Sequence, residues 1–177
     1  MSQICYDIVL ELSRQDNHIR GLAGLLKTNQ MTIARRVEEL VGLNVLDFRI
    51  EGKNKVHFMK NSLEAIQYLK IAEQYKAMGL VSRYPRFRLI VEKINADDKI
   101  VLAILFGSYA KGNADKNSDI DVYIDVAEAA KRIGQLDSRL NIKTGKFSLN
   151  SPLAKEIIKN HVILKGVDNY YEVLKKA

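Results

Sequence analysis

The sequence predicts an α+β chain in two parts: three helices with a β-hairpin come first, and an α/β part with a small mixed sheet follows. Three observations predict it. Apolar residues recur at helical spacing in three short segments before residue 43. Two extended segments separated by a glycine-containing turn come next. After Pro85, strand-like apolar segments alternate with helical ones.

The first part is predicted to contain helices near 3–14, 19–27 and 30–42. The side chain of Asn29 can cap the third helix. Strands near 45–50 and 55–59 flank the turn 51–54 and form a hairpin with a basic tip. His57 is expected on the surface of this hairpin.

The middle segment, 62–78, has the apolar spacing of an amphipathic helix. Ser62 is a plausible N-cap, Gly79 is the expected stop, and Tyr84-Pro85 is a second break. This helix either connects two domains or pairs with its copy in a homodimer. We therefore predict domains at 1–62 and 86–177, joined by a connection at 63–85.

The second part is predicted to alternate helices and strands. The ranges are a helix at 87–94, a strand at 100–106, a strand at 119–125, a helix at 127–136, a strand region at 140–149, a helix at 152–159, a short apolar piece at 162–164 and a last helix at 170–176.

Composition leaves the partner open. The net charge is +7, and the 47% hydrophobic and 28% charged residues are ordinary for a globular protein. Residues 1–85 contain twelve Lys/Arg against nine Asp/Glu, and the rest contains sixteen against twelve. This spread charge permits nucleic acid or nucleoside triphosphate as a partner.

Location is predicted from what the sequence lacks. No apolar run approaches the ~20 residues that span a bilayer, and no signal-peptide pattern begins the chain, so we expect no membrane contact. The single Cys5 has no internal partner for a disulfide, which favours a reducing, cytoplasmic location.

The segment richest in chemistry is a Gly107-Ser108 turn followed, after ten residues, by Asp119-Ile120-Asp121. The two aspartates are two positions apart on a predicted strand, so they are expected on one face. Two carboxylates on one face repel unless a cation lies between them, and Mg²⁺ favours carboxylate and phosphate oxygens. A Gly-Ser turn offers backbone N–H groups to phosphate. The combination predicts a metal-dependent nucleotide site.

This motif resembles that of the nucleotidyltransferase superfamily that includes DNA polymerase β, and especially its minimal members, over about residues 87–177. The resemblance implies that Asp119 and Asp121 hold Mg²⁺ or Mn²⁺. It also implies that Gly107 and Ser108 bind the triphosphate of an NTP, while a hydroxyl attacks the α-phosphate. Ser118 is expected to fix the turn before the first aspartate. Lys111 either touches phosphate or is a solvated surface lysine.

The sequence departs from this family at one position. A third carboxylate from a later strand is expected, but Asn141 or, in another register, Lys143 stands there. Asp125 would lie about 20 Å from Asp119 along the strand, too far for one metal cluster. Asp137 is a substitute only if it is not a surface residue at a helix end. Binding of nucleotide and metal is therefore better supported than turnover.

Residues 1–62 resemble a winged helix-turn-helix domain, in which the third helix enters the DNA major groove and the hairpin is the wing. The resemblance implies DNA contacts from four residues of the third helix and three of the hairpin: Gln30, Thr32, Arg35, Arg36, Arg49, Lys53 and Lys55. Some winged helices instead dock proteins or dimerise.

Two functions follow. The first is an enzyme that moves an NMP from an NTP to a hydroxyl of a protein, nucleic acid or small molecule. Some minimal nucleotidyltransferases are antitoxins that modify a HEPN-type partner. The second is a DNA-binding regulator whose degenerate nucleotidyltransferase domain senses a nucleotide or dimerises.

Overall fold

The structure is a computed structural model that describes residues 2–175. Contacts divide it into two units, one up to Tyr75 and one from Lys76. The fold class is the predicted α+β arrangement with two small sheets. The last residues of the predicted helix at 170–176 reach Lys176, which lies outside the described residues.

The first unit contains three helices and a hairpin. Their bounds are α1 Gln3–Leu12, α2 Ile19–Leu25, α3 Gln30–Gly42, β1 Leu46–Glu51 and β2 Asn54–Met59. The strands pair antiparallel, with Phe48 opposite His57. As predicted, Asn29 caps α3, where its Oδ1 accepts the Thr32 N–H at 2.7 Å. The core of this unit includes Ile8, Leu22, Ile33 and Leu40, all fully buried.

Helix α4, Leu63–Arg83, is longer than predicted. It passes through Gly79, which was expected to end it. A Cβ at Gly79 would meet nothing within 4 Å, so the glycine sits on an open helix face and no tight turn requires it. Ala65 and Ala72 of α4 pack in the core of the first unit, and Leu80 packs in the core of the second. A glycine lowers helix propensity, but packing on both sides of it keeps the helix continuous.

The second unit contains a four-stranded sheet in the order β5-β4-β3-β6. Strand β3 is antiparallel to β4 and β6, and β4 is parallel to β5. The bounds are α5 Phe87–Ala96, β3 Ala103–Leu105, α6 Gly107–Lys111, β4 Ile120–Ile124, α7 Ala127–Gly134, β5 Leu140–Lys143, α8 Pro152–Lys159, β6 Val162–Lys165 and α9 Val167–Lys175. Strands β3 and β5 are shorter than predicted.

Both faces of this sheet are covered. On one face, Leu105 and Val122 pack in a cluster with residues of α5 and α7. On the other face, Ile104 and Tyr123 pack with residues of α8 and α9. Neighbouring residues of one strand point to opposite faces, so Asp121 shares its face with Tyr123. No helix of the described residues is both long and apolar enough to cross a bilayer.

His57 contradicts the sequence-based prediction of a surface position, because only 4% of it is exposed. Its N–H donates to the Asn17 carbonyl at 2.7 Å, so β2 is tied to the segment that precedes α2. Its ring lies against Phe48 with the centroids 5.9 Å apart. Burial, assisted by the charge of Lys55, lowers the pKa of the imidazole. The ring is therefore buried neutral.

We predict that His57 makes the protein less stable as the pH falls. The pKa of the imidazole is lower in the folded state than the ~6.5 of an unfolded chain, so the unfolded state takes up its proton first. The contribution of His57 is present above pH ~6.5 and is lost on acidification. The unfolding free energy, measured by urea titration between pH 8 and 5, is expected to fall more for the wild type than for His57→Phe. Parallel curves would contradict this assignment.

Candidate functional site

The Gly107-Ser108 turn and Asp121 are in direct contact. The Phe106 N–H donates to the Asp121 carbonyl at 2.9 Å, which continues the antiparallel pairing of β3 and β4. Gly107 then begins α6 with a φ of +69°. A Cβ at Gly107 would lie 2.3 Å from Asp121 Oδ2. The backbone conformation therefore favours glycine, and a side chain at this position would force the Asp121 carboxylate to move.

The sequence had suggested that Asp119 lies on strand β4, but it lies immediately before that strand. Its side chain is exposed, whereas Asp121 is half-buried. The turn that precedes it is held by Ser118, whose Oγ accepts the Asp115 N–H at 2.9 Å and donates to Asp115 Oδ1 at 3.1 Å. The Asn117 N–H also donates to Asp115 Oδ1, and these hydrogen bonds lower the pKa of Asp115. Ser118 thus fixes the approach of the chain to Asp119.

Asn141 stands opposite Asp121 on the parallel strand β5. Its Nδ2 donates to Asp121 Oδ1 at 2.8 Å. Lys143, the other residue that the sequence left open for this position, is paired with Tyr123, one side-chain repeat further along. Among the residues that the structure describes, no group of three or more His, Cys, Asp or Glu side chains could hold a metal ion. The position where a third acid was expected is therefore occupied by a neutral amide that is hydrogen-bonded to Asp121.

Two other carboxylates considered from the sequence have structural partners. Asp125 accepts the Val101 N–H with both oxygens at 3.3 Å, at the opposite end of β4. Asp137 accepts from the backbone N–H of Arg139 at 3.0 Å and from its guanidinium at 2.8 Å. The hydrogen bonds from Arg139 lower the pKa of Asp137. Asp137 is thus an ion-pair partner, and the idea that it replaces the third acid is not supported.

Lys111, at the end of α6, pairs with Glu156 of α8 at 3.5 Å, and both side chains are nearly half exposed. Spacing in the sequence gave no signal for this pair, because the two helices are distant along the chain. An exposed pair of this kind adds little stability. The ammonium group of Lys111 can therefore exchange Glu156 for another anion at low cost.

Tyr123 holds the loop after β5 against the face on which Asp121 lies. Its hydroxyl donates to the Gly145 carbonyl at 2.6 Å, and its ring lies 5.3 Å from that of Phe147. Burial raises the pKa of Tyr123 to about 12, with a smaller effect from Asp125. Because the hydroxyl stays protonated, this hydrogen bond is present at all physiological pH values.

The residues predicted to contact DNA differ in how engaged they are. On α3, Gln30 and Arg35 are exposed. Thr32 is half-buried, and Arg36 pairs with Glu39 at 2.8 Å. The exposed face of α3 also includes Met31, which is 84% exposed, and Glu38. Arg35 is thus the basic side chain of this helix that is most open to a ligand.

The hairpin divides in the same way. Arg49 pairs with Asp16 at 2.5 Å and with Glu51 at 2.7 Å. Lys53 is exposed at the turn. The Lys55 Nζ lies 4.4 Å from the centroid of the Phe48 ring. A ligand phosphate would have to compete with two carboxylates for Arg49 but would meet Lys53 directly.

We predict that Gly107→Ala destabilises the protein by more than the ~1–2 kcal/mol that a left-handed backbone costs alanine, because the new methyl group also overlaps Asp121. Gly79→Ala is the matched control in a helix with open space, and it is expected to stabilise by about 0.5–1 kcal/mol. Urea denaturation measures both values. A loss of no more than ~1–2 kcal/mol for Gly107→Ala would show that the Asp121 carboxylate moves aside and adds nothing to the backbone cost.

Comparison with known proteins gives three matches. Residues 89–169 match the family model described as "Polymerase beta, Nucleotidyltransferase". The chain is 26% identical over 172 residues to the Streptococcus mutans serotype c (strain ATCC 700610 / UA159) protein named "Putative transcriptional regulator MtlR". That match covers 90% of this chain and 24% of the relative, so the chain spans about a quarter of the relative's length.

A solved structure described as "Crystal structure of the toxin-antitoxin with AMP-PNP" is 21% identical and covers 51% of this chain and 81% of its own, with a TM-score of 0.36. The family match is the informative one, because it spans the Gly107 turn, both aspartates and Asn141. Residues 89–169 are a nucleotidyltransferase domain of the polymerase β type.

Proposed function

We propose that the protein binds a nucleoside triphosphate with a divalent cation and transfers the NMP to a hydroxyl acceptor. The contact between Asp121 and the Gly107 turn carries this proposal, because it joins a carboxylate to a tight turn in a domain of this family. The domain division that we propose is 1–62 for a winged helix, 63–85 for a connection and 86–177 for the nucleotidyltransferase part.

The donor set suits a hard cation. Asp119 and Asp121 offer carboxylate oxygens, and the remaining positions around Mg²⁺ or Mn²⁺ are normally filled by phosphate oxygens and water. When bound, the cation would neutralise charge on the phosphates. Ser118 positions Asp119 through the turn at Asp115. Asn141 orients Asp121 through its amide.

The other residues of the site act on the nucleotide. Ser108 and the backbone at Gly107 bind the triphosphate, and Lys111 leaves Glu156 to meet its charge. The acceptor oxygen forms a bond to the α-phosphorus, the bond to the bridging oxygen breaks, and pyrophosphate leaves. Asn141 accepts no proton, so the proton of the acceptor passes to water.

A second function, nucleotide binding without transfer, is favoured by Asn141. The amide of Asn141 stands opposite Asp121, and a neutral amide cannot act as a base. The relative named "Putative transcriptional regulator MtlR" aligns with most of this chain. In this alternative the domain binds nucleotide without turnover, and the first 62 residues find an operator. The two functions share nucleotide binding and differ only in transfer.

The N-terminal part is proposed to bind DNA as a winged helix. The order of three helices and an antiparallel hairpin supports this proposal. We expect Gln30 and Arg35 to meet bases, and Lys53 to meet the phosphate backbone. Thr32, Arg36, Arg49 and Lys55 are secondary contacts, since each is half-buried or already engaged within the chain. We also propose a HEPN-type protein as the acceptor and a homodimer as the assembly of this chain.

The transfer proposal predicts that the protein labels an acceptor. The full chain is incubated with Mg²⁺, each of the four radiolabelled NTPs, and protein, nucleic-acid and small-molecule acceptors, including a HEPN-type protein. Label transfer is expected for the wild type. It should be lost in Asp119→Asn and Asp121→Asn, because each removes a negative oxygen ligand. Asp98→Asn, an exposed loop variant of the same type, should transfer normally.

Three results decide between the candidates. Transfer that depends on both aspartates supports the enzyme. Absence of transfer, together with nucleotide binding that Asp121→Asn weakens, supports the regulator. A protein that binds no nucleotide at all contradicts both.

The DNA proposal predicts a negative dependence of affinity on salt, because phosphate contacts release counterions. Affinity for a duplex library, measured by fluorescence anisotropy from 50 to 300 mM salt, should fall steadily. Arg35→Ala is expected to weaken binding more than Arg36→Ala, since Arg36 is already paired with Glu39. Arg88→Ala, in the second unit, is the charge-matched control. A flat salt response would remove the DNA-binding role.

A further inference from the structure

The environment of Asp121 limits how many cations this site accepts. Oδ1 of Asp121 receives the Asn141 amide at 2.8 Å. Oδ2 lies so close to Gly107 that a Cβ there would be 2.3 Å away. The carboxylate is thus held by the Asn141 amide on one side and has no room for a side chain at position 107 on the other. In contrast, Asp119 is exposed, and no group of the described residues hydrogen-bonds its carboxylate.

The orientation of Asn141 follows from the charge of its partner. An ionised carboxylate only accepts hydrogen bonds, so the amide must turn its NH₂ group toward Asp121. The positive end of the amide dipole then occupies the space beside Oδ1. A cation at that position would meet this positive end, and a reversed amide would give up a charge-assisted hydrogen bond.

Sites with two divalent cations need carboxylates that bridge ions about 3.5–4 Å apart. The strand position that could add a third acid is the neutral Asn141, and its NH₂ group is turned toward Asp121. It therefore offers no negative oxygen to a second ion beside Asp121. The described residues contain no cluster of three acidic or other metal-binding side chains. The negative charge of the two aspartates therefore suits one divalent cation, which enters with the nucleotide.

We propose that this site binds one divalent cation per nucleotide, held by Asp119 and Oδ2 of Asp121, and that Asn141 is the residue that sets this number. Asn141 is a positioning residue: it orients Asp121 and closes the position of a second cation. This inference rests on the proposed binding of nucleotide and metal, and it is the same for the enzyme and the regulator.

The test counts bound Mn²⁺. Electron paramagnetic resonance follows a titration of the full chain with Mn²⁺ in the presence of a saturating non-hydrolysable NTP analogue. The wild type is expected to bind one nucleotide-dependent Mn²⁺, and Asn141→Asp is expected to bind two, because it adds a carboxylate opposite Asp121. Asn150→Asp adds the same charge at an exposed position of the same unit and should bind one.

The results separate this inference from the function beneath it. Two ions on the wild type, or one ion on Asn141→Asp, would overturn the role of Asn141 and leave nucleotide binding in place. No nucleotide-dependent Mn²⁺ on any variant would overturn the proposed function itself.

A second variant tests orientation independently. Asn141→Leu keeps the size of the side chain but donates no hydrogen bond. We expect it to bind one Mn²⁺ with roughly tenfold lower affinity, as for other groups that orient a metal ligand. Unchanged affinity would overturn the positioning role.

Thermal melting without metal checks folding: Asn141→Asp should melt lower than the wild type and recover with Mn²⁺, since two facing carboxylates repel until a cation joins them.

Discussion

The site in the second unit depends on one backbone hydrogen bond. This bond extends the antiparallel pairing of β3 and β4 past the last paired residues of the two strands. The hydrogen bond from the Phe106 N–H to the Asp121 carbonyl brings the start of α6 against the Asp121 side chain. Since the strands are buried on both faces, this alignment cannot shift without moving the core. The chemistry of the site is thus a consequence of sheet packing, and the loops around it refine the positions.

The parallel neighbour β5 adds the second constraint. Its register with β4 sets which side chain faces Asp121, and a parallel pair needs a crossover, here helix α7. The packing of α7 on the sheet therefore fixes Asn141 beside Asp121. Tyr123 and Phe147 then hold the loop that follows β5. Carboxylate, amide and turn are fixed by three different kinds of contact, so no single loop movement dismantles the site.

Much of this fold could be predicted from the sequence because periodicity and turn residues record local structure. Helix α3 and its Asn29 cap, helix α8, the hairpin and the alternation of the second part all have local signals. Three features had none. The register of β5 decides between Asn141 and Lys143, and it depends on packing between distant segments. The burial of His57 depends on its bridge to Asn17. Helix α4 runs through Gly79 because apolar contacts on either side outweigh a weak local preference.

The contact between Gly107 and Asp121 restricts the order in which this domain can change over evolutionary time. A side chain at position 107 overlaps the Asp121 carboxylate, so a descendant that keeps the acid must move that carboxylate to accept one. In descendants that first replace residue 121 with a shorter one, a side chain at position 107 no longer meets the carboxylate. Only the backbone cost of a positive φ at position 107 remains. Loss of the acid at position 121 therefore makes a later replacement of Gly107 easier. A homologue with alanine at position 107 is therefore expected to have a smaller residue at position 121.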